Sequence, residues 1–187
     1  MKLIVAVSGA SGSIYAVRLL EFLKETDIEI HLICSKDGIR VVKHETGLTF
    51  KDLQGYADAV HDINDIGATP ASGSAGLRDM LVIPCSMKTL SMISTGTASN
   101  LIGRSADVIL KEKRNLVLVP RETPLSPIHL EHMLKLSQMG VHILSASPGF
   151  YHLPKTIDDL VNHLVGKTLD CLGIPNELFR RWQGGEG

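Results

Sequence analysis

Residues 3–12 read Leu3-Ile4-Val5-Ala6-Val7-Ser8-Gly9-Ala10-Ser11-Gly12. An unbroken apolar run, largely β-branched and closed by small residues, predicts a strand buried on both faces and then a turn. Working outward, residues 13–25 predict a helix with Arg18, Glu21 and Glu25 on one stripe. Ile28–Cys34 (IEIHLIC) is a second strand and Asp37–Glu45 a second helix. Met80–Ile83 is a third strand ending at Pro84-Cys85-Ser86, and Leu116–Val119 and Val141–Leu144 are two more, each preceded by helical pattern. In Ile157–Leu172, Ile157, Leu160, Val161, Leu164, Val165, Thr168 and Leu169 recur at helical steps. Thr156 and Asp159 form its capping box, and Gly173-Ile174-Pro175 stops it. Strands alternating with helices predict an α/β fold: a mostly parallel sheet with helices on both faces. The 187 residues suit one domain spanning 1–187, with no repeat or dividing linker. Asn64–Gly76 (NDIGATPASGSAG) reads as a long loop, the kind that is often functional.

Composition narrows the function classes. Hydrophobic residues are 44% and charged residues 21%, which is globular rather than disordered. Nineteen Lys plus Arg against twenty Asp plus Glu leave a net charge of −1, and the densest basic run, Lys111-Glu112-Lys113-Arg114, contains an acid. Nucleic acid is not expected as a partner. No apolar run reaches the roughly 18 residues of a membrane span. Cys34, Cys85 and Cys171 lie in or beside apolar runs without a C-x-x-C pair, which argues against zinc or disulfides and for the reducing cytoplasm. His129 and His132 flank Glu131 on a helix, but no third ligand stands at a recognisable spacing, so no metal site is expected.

In an open parallel sheet, ligands bind beyond the carboxyl ends of the strands. The Gly9–Gly12 turn there suits a phosphate or simply joins strand to helix; it is neither G-x-G-x-x-G nor a P-loop. Ser35-Lys36 follows the second strand where a ribose-binding acid would stand, which disfavours NAD. Cys85-Ser86-Met87-Lys88-Thr89 offers hydroxyls and a lysine as a second anion cradle, or a capped helix start. Arg121 and Glu122 are neighbours on an extended segment, so their side chains diverge; either one holds an anion while the other moves a proton, or the two are a solvated charge pair. Ser147–Pro154 is a rigid loop with Phe150 and Tyr151, suited to an apolar ligand or to core anchoring. Lys167 lies at the border of the last helix's buried face, where it either snorkels to solvent or reaches into a cleft.

Taken in order, GASG, Ser35, CSMKTLS, RSADVILKEKRNLVLVPRETPLS, HLEHMLKLS and SPGFYHLPKTIDDLV resemble a flavin prenyltransferase of the UbiX/Pad type from about Leu3 to Trp182. The resemblance implies a Rossmann-like flavoprotein fold and metal-independent transfer of a dimethylallyl group from dimethylallyl monophosphate to N5 and C6 of reduced FMN. The product would be prenylated FMN, delivered to a UbiD-type decarboxylase in ubiquinone or aromatic acid metabolism. It assigns FMN contacts to Gly9, Ala10, Ser11, Ser35, Ser86, Met87, Lys88, Thr89 and Arg121. It assigns prenyl-phosphate contacts to Tyr151 and Lys167, with Arg121, Arg104 and Lys111 nearby, and catalytic roles to Ser11, Glu45, Glu122 and Trp182. Lys167 stands where many members carry Arg, and Leu153 where Arg or Gln is frequent. A homododecamer is implied, with Leu178, Phe179 and Trp182 apolar enough to cover a neighbour's site. A cysteine decarboxylase of similar fold would carry a P-x-M-N-x-x-M-W-like segment, which is absent; a plain FMN carrier leaves Tyr151 and Lys167 unexplained.

Overall fold

The computed structural model describes residues 1–182 and 184. Its centre is the opening run: β1 (Lys2–Val7) has no exposed surface from Leu3 to Val7. On one side β1 pairs with β2 (Glu29–Cys34), Leu3 beside Ile30. On the other it pairs with β4 (Asp79–Cys85), Leu3 beside Asp79. With β3 (Ala59–His61), β5 (Asn115–Pro120) and β6 (His142–Ile143), the sheet order is β3-β2-β1-β4-β5-β6 and every pair is parallel. The chain winds outward from β1 in one direction and resumes at β4 in the other, so a switch point opens between β1 and β4.

Parallel strands buried on both faces need two helical layers. One holds α1 (Ser13–Lys24), α2 (Lys36–Thr46), the short α3 (Phe50–Gln54) and α7 (Ile157–Cys171), packed through Leu19, Leu20, Val42, Leu53, Val165 and Leu169. The other holds α4 (Met87–Thr95), α5 (Leu101–Lys111) and α6 (Pro127–Gln138), packed through Leu90, Ile93, Ile102, Ala106 and Leu136.

The expected strands and helices are present, with ends shifted by a residue or so. The structure adds the edge strand β3 and shortens the expected Val141–Leu144 strand to its two middle residues. Ile157, expected in the buried stripe of α7, is 71% exposed, because the first turn of α7 projects past the core. The 64–76 stretch is less free than a plain loop. It contains a 3₁₀ turn at Thr69–Ala71, and Arg114 donates to the carbonyls of Gly73 at 2.6 Å and Leu77 at 2.8 Å. Arg114 of the basic run is thereby a structural anchor rather than part of an anion-binding patch.

Candidate active site

The site grows from the carboxyl ends of β1, β2, β4 and β5. Ser8, the first residue after β1, joins two of them: its hydroxyl donates to the Pro84 carbonyl at 2.9 Å and accepts from the Ser86 amide at 2.8 Å. Gly9 lies so close to α2 that a Cβ there would stand 2.5 Å from the Asp37 Cβ. Gly12 has φ of 101°, the left-handed region that favours glycine, and from it the chain enters α1.

The N-terminus of α1 already holds an anion. The carboxylate of Glu45, on α2, accepts from the Gly12 amide at 3.0 Å and the Ser13 amide at 2.8 Å. The Ser11 hydroxyl faces it as well; burial pushes the Glu45 carboxyl up, but these hydrogen bonds outweigh it and hold the group below the usual carboxylate range. Ser11 and Glu45 therefore form one unit. The Gly9–Gly12 turn gives a ligand close approach to backbone, while its helix dipole is spent on Glu45.

Two other helix N-termini face the switch point. Ser35 caps α2, accepting from the Gly38 amide at 2.9 Å. Ser86 caps α4, accepting from the Thr89 amide at 3.3 Å and donating to the Thr89 hydroxyl at 3.1 Å. Capping of this kind still leaves first-turn amides, those of Met87 and Lys88 in α4, to bind an anion. Arg121 leaves β5 with its amide on the Cys85 carbonyl at 3.3 Å, and its Nε is buried without a hydrogen-bond partner among the described residues. A buried, orphaned guanidinium N–H on the segment paired to the strand end where α4 begins fits a phosphorylated cofactor. Glu122, next in sequence, is exposed and accepts from the Thr123 amide at 3.0 Å.

A second corner forms where the loop after β6 meets α7 and the C-terminal segment. The Tyr151 ring meets the Trp182 ring edge to face at 6.2 Å, and both border a cleft of about 500 Å³ with Arg180 and Arg181. Lys167 on α7 is exposed, with Nζ 3.7 Å from the Asp170 carboxylate. Arg181 grips the same carboxylate through two hydrogen bonds of 2.7 and 2.9 Å and, foremost among its neighbours, holds it below its ordinary range. Sequence reading missed Ser8, Asp170, Arg181 and His163, which bonds Tyr151. Each acts through a partner that is remote in sequence or in a different element.

Arg104 and Lys111 do not join this corner within one chain. Both lie on α5, in the layer on the other face of the sheet from α7, and are paired with Asp107 at 2.9 Å and Glu112 at 2.8 Å. His129 accepts from the Ser126 amide in the capping box of α6, and His132 contacts Ser91 and Ser94. No cluster of three or more metal-ligating side chains occurs among the described residues.

Comparison with known proteins matches residues 1–169 to the Flavoprotein family model. The flavin prenyltransferase UbiX of Alkalihalophilus pseudofirmus is 51% identical over 189 aligned positions, covering 95% of this chain and 94% of that protein. The chain belongs to the UbiX-type flavin prenyltransferases. Two solved structures share the fold of this chain over nearly its whole length. The dodecameric FMN-dependent UbiX-like decarboxylase of Escherichia coli O157:H7 is 50% identical, with a TM-score of 0.97 over 98% of this chain and 100% of that one. AnUbiX (PadA1), in complex with FMN and dimethylallyl pyrophosphate, is 43% identical, with a TM-score of 0.96 over 99% and 98%. The expected α/β flavoprotein fold and family are borne out, and this UbiX-type chain is an enzyme.

Proposed function

We propose that the chain binds reduced FMN at the switch point and dimethylallyl monophosphate at the Tyr151 corner, and joins the prenyl group to N5 and C6 of the flavin. The orphaned Nε of Arg121, which follows β5 next to the strand end where α4 begins, carries this reading. It supplies a part-buried cation where a flavin phosphate or the leaving phosphate needs one, and no side chain among the described residues partners its Nε. Gly9, Ala10 and Ser11 let the flavin approach the backbone, while Ser35, Ser86, Met87, Lys88 and Thr89 hold its phosphate and ribityl oxygens.

Breaking an allylic C–O bond requires the departing phosphate to be stabilised. Tyr151, Lys167 and Arg121 do so through charge-assisted hydrogen bonds, each worth about 1.5–3 kcal/mol. Lys167 is free to turn from Asp170, because Arg181 remains on that carboxylate. Trp182 lies over the cationic allyl fragment. As the second bond closes, the prenyl double bond takes up a proton at one carbon while its other carbon bonds C6, and the C6 proton is lost. Glu122 handles this proton exchange, and Ser11 with Glu45 orders the reacting end of the flavin.

The full site is completed between copies. The E. coli relative is dodecameric. In this chain Ile128, Leu130 and Leu134 of α6 are more than half exposed, an apolar stretch that suits burial against another copy. In a homododecamer of the single 1–187 domain, Arg104 and Lys111 come to the phosphate from a neighbouring copy, and Leu178, Phe179 and Trp182 lie at the shared boundary. Three cysteines without a disulfide suit work in the cytoplasm, with prenylated FMN passing to a UbiD-type decarboxylase. The test follows inorganic phosphate during anaerobic incubation with reduced FMN and dimethylallyl monophosphate. Phosphate release matching FMN consumption is expected; phosphate release with FMN unconsumed would overturn the reading.

A further inference from the structure

His163 lies on the inner face of α7, 6% exposed, and neither the flavin-binding nor the phosphate-binding groups include it. The partners of its two ring nitrogens settle its protonation. The Gly149 amide can only donate, so Nδ1, at 3.3 Å, accepts. In the neutral ring the proton is therefore on Nε2, which stands 3.0 Å from the Tyr151 phenol oxygen and donates to it. The ring cannot turn easily. His152 stacks on it with centroids 4.6 Å apart and planes 3° from parallel, and Phe179 meets it edge to face at 4.9 Å. Burial foremost, then the nearby His152 and Lys167, holds its pKa below the ordinary histidine value and keeps the imidazole neutral.

A phenol oxygen that accepts from one side keeps its own proton for the other, where Tyr151 borders the cleft shared with Arg180, Arg181 and Trp182. We infer that His163 is a positioning residue: by donating from Nε2 to Tyr151, it aims the phenol O–H at the phosphate of the prenyl ester. Hydrogen bonds in such a chain reinforce one another, so the donated proton binds phosphate more firmly than that of an isolated tyrosine. The inference rests on the proposed role of Tyr151 as a substrate ligand.

His163→Phe keeps an aromatic ring against His152 and Phe179 but removes both hydrogen bonds, whereas His163→Gln returns an N–H near the position of Nε2. The phenylalanine variant should raise the KM for dimethylallyl monophosphate about tenfold, the worth of one oriented hydrogen bond, with kcat/KM falling at least as far and FMN retention nearly unchanged. The glutamine variant should recover most of that loss. In a Tyr151→Phe background, His163→Phe should add nothing, since it acts only through the phenol oxygen. An unchanged KM in His163→Phe, or an equal rise in the Tyr151→Phe background, overturns the inference. NMR of the histidine ring nitrogens in the unmodified protein needs no variant to fold. It should show His163 neutral with its proton on Nε2 at neutral pH, and a proton on Nδ1 overturns the inference. Tyr151→Phe alone separates the two levels. If it leaves KM unchanged, the substrate-site reading falls and the inference with it. If it raises KM while His163→Phe does not, only the inference falls.

Discussion

Glu122 and Lys167 occupy exposed positions on opposite sides of the proposed reaction, one assigned to a proton and the other to a phosphate. Glu122→Gln keeps the acceptor for the Thr123 amide but removes the ionisable carboxylate. It should retain FMN and slow single-turnover product formation by roughly 10²–10⁴-fold, the usual contribution of general acid–base catalysis. Lys167→Ala should instead raise the half-saturation concentration of the prenyl substrate and spare FMN, while Lys167→Arg should be tolerated. Titrating the substrate against each variant tells the two failures apart. Burial pushes the Cys34 thiol up to about 12, and Cys85 is pushed up further by complete burial. Alkylation of the native protein should therefore spare both, as peptide mapping would show. At this scale the sequence was legible where a polar residue ends an apolar run, as at Ser35, Ser86 and Arg121, because such a residue cannot serve the core. Ser8 was not legible: its role depends on Ser86, 78 residues away. Lys167 was read as either snorkelling or reaching a cleft, and its Asp170 partner was invisible until α7 met the C-terminal segment.

The helices show how local sequence and tertiary contact divide the work. A capping threonine locates the start of α7 from sequence alone, and Ser86 was open to that reading for α4; that Ser35 and Ser126 cap α2 and α6 came with the structure. The start of α1 has no side-chain cap of its own and borrows Glu45 from α2. Because the folded pKa of Glu45 lies below its ordinary value of 4.5, its stabilisation is fully present above that value. It is lost as the pH falls through the folded value. Glu45→Gln should lower Tm at neutral pH by a few degrees, and the gap from the parent should close in acid; a gap that persists unchanged in acid would mean the charge is not what holds α1. The strand β3 escaped the sequence reading for a physical reason. It is three residues long at the sheet edge, with Val60 37% exposed, so it lacks the sustained apolar run that revealed β1. Loop 64–76 was legible as a break in pattern, but not as a segment fastened by Arg114.

For the whole molecule, the parallel sheet and the two helical layers followed from alternation of short apolar runs with helical pattern, whereas the strand order came only with the structure. What one chain could not disclose is how copies meet. Arg104 and Lys111 stand across the sheet from Lys167, so their proposed contribution depends on assembly. Arg104→Ala should leave FMN bound and weaken the prenyl substrate; mixing it with Lys167→Ala should restore some activity if sites are shared, which a subunit-mixing assay measures directly. The central claim concerns the reaction itself. Anaerobic incubation with reduced FMN and dimethylallyl monophosphate, followed by mass spectrometry of the extracted flavin, addresses it most directly. A flavin heavier by one five-carbon prenyl unit is the predicted result, and unaltered FMN beside intact ester would contradict it.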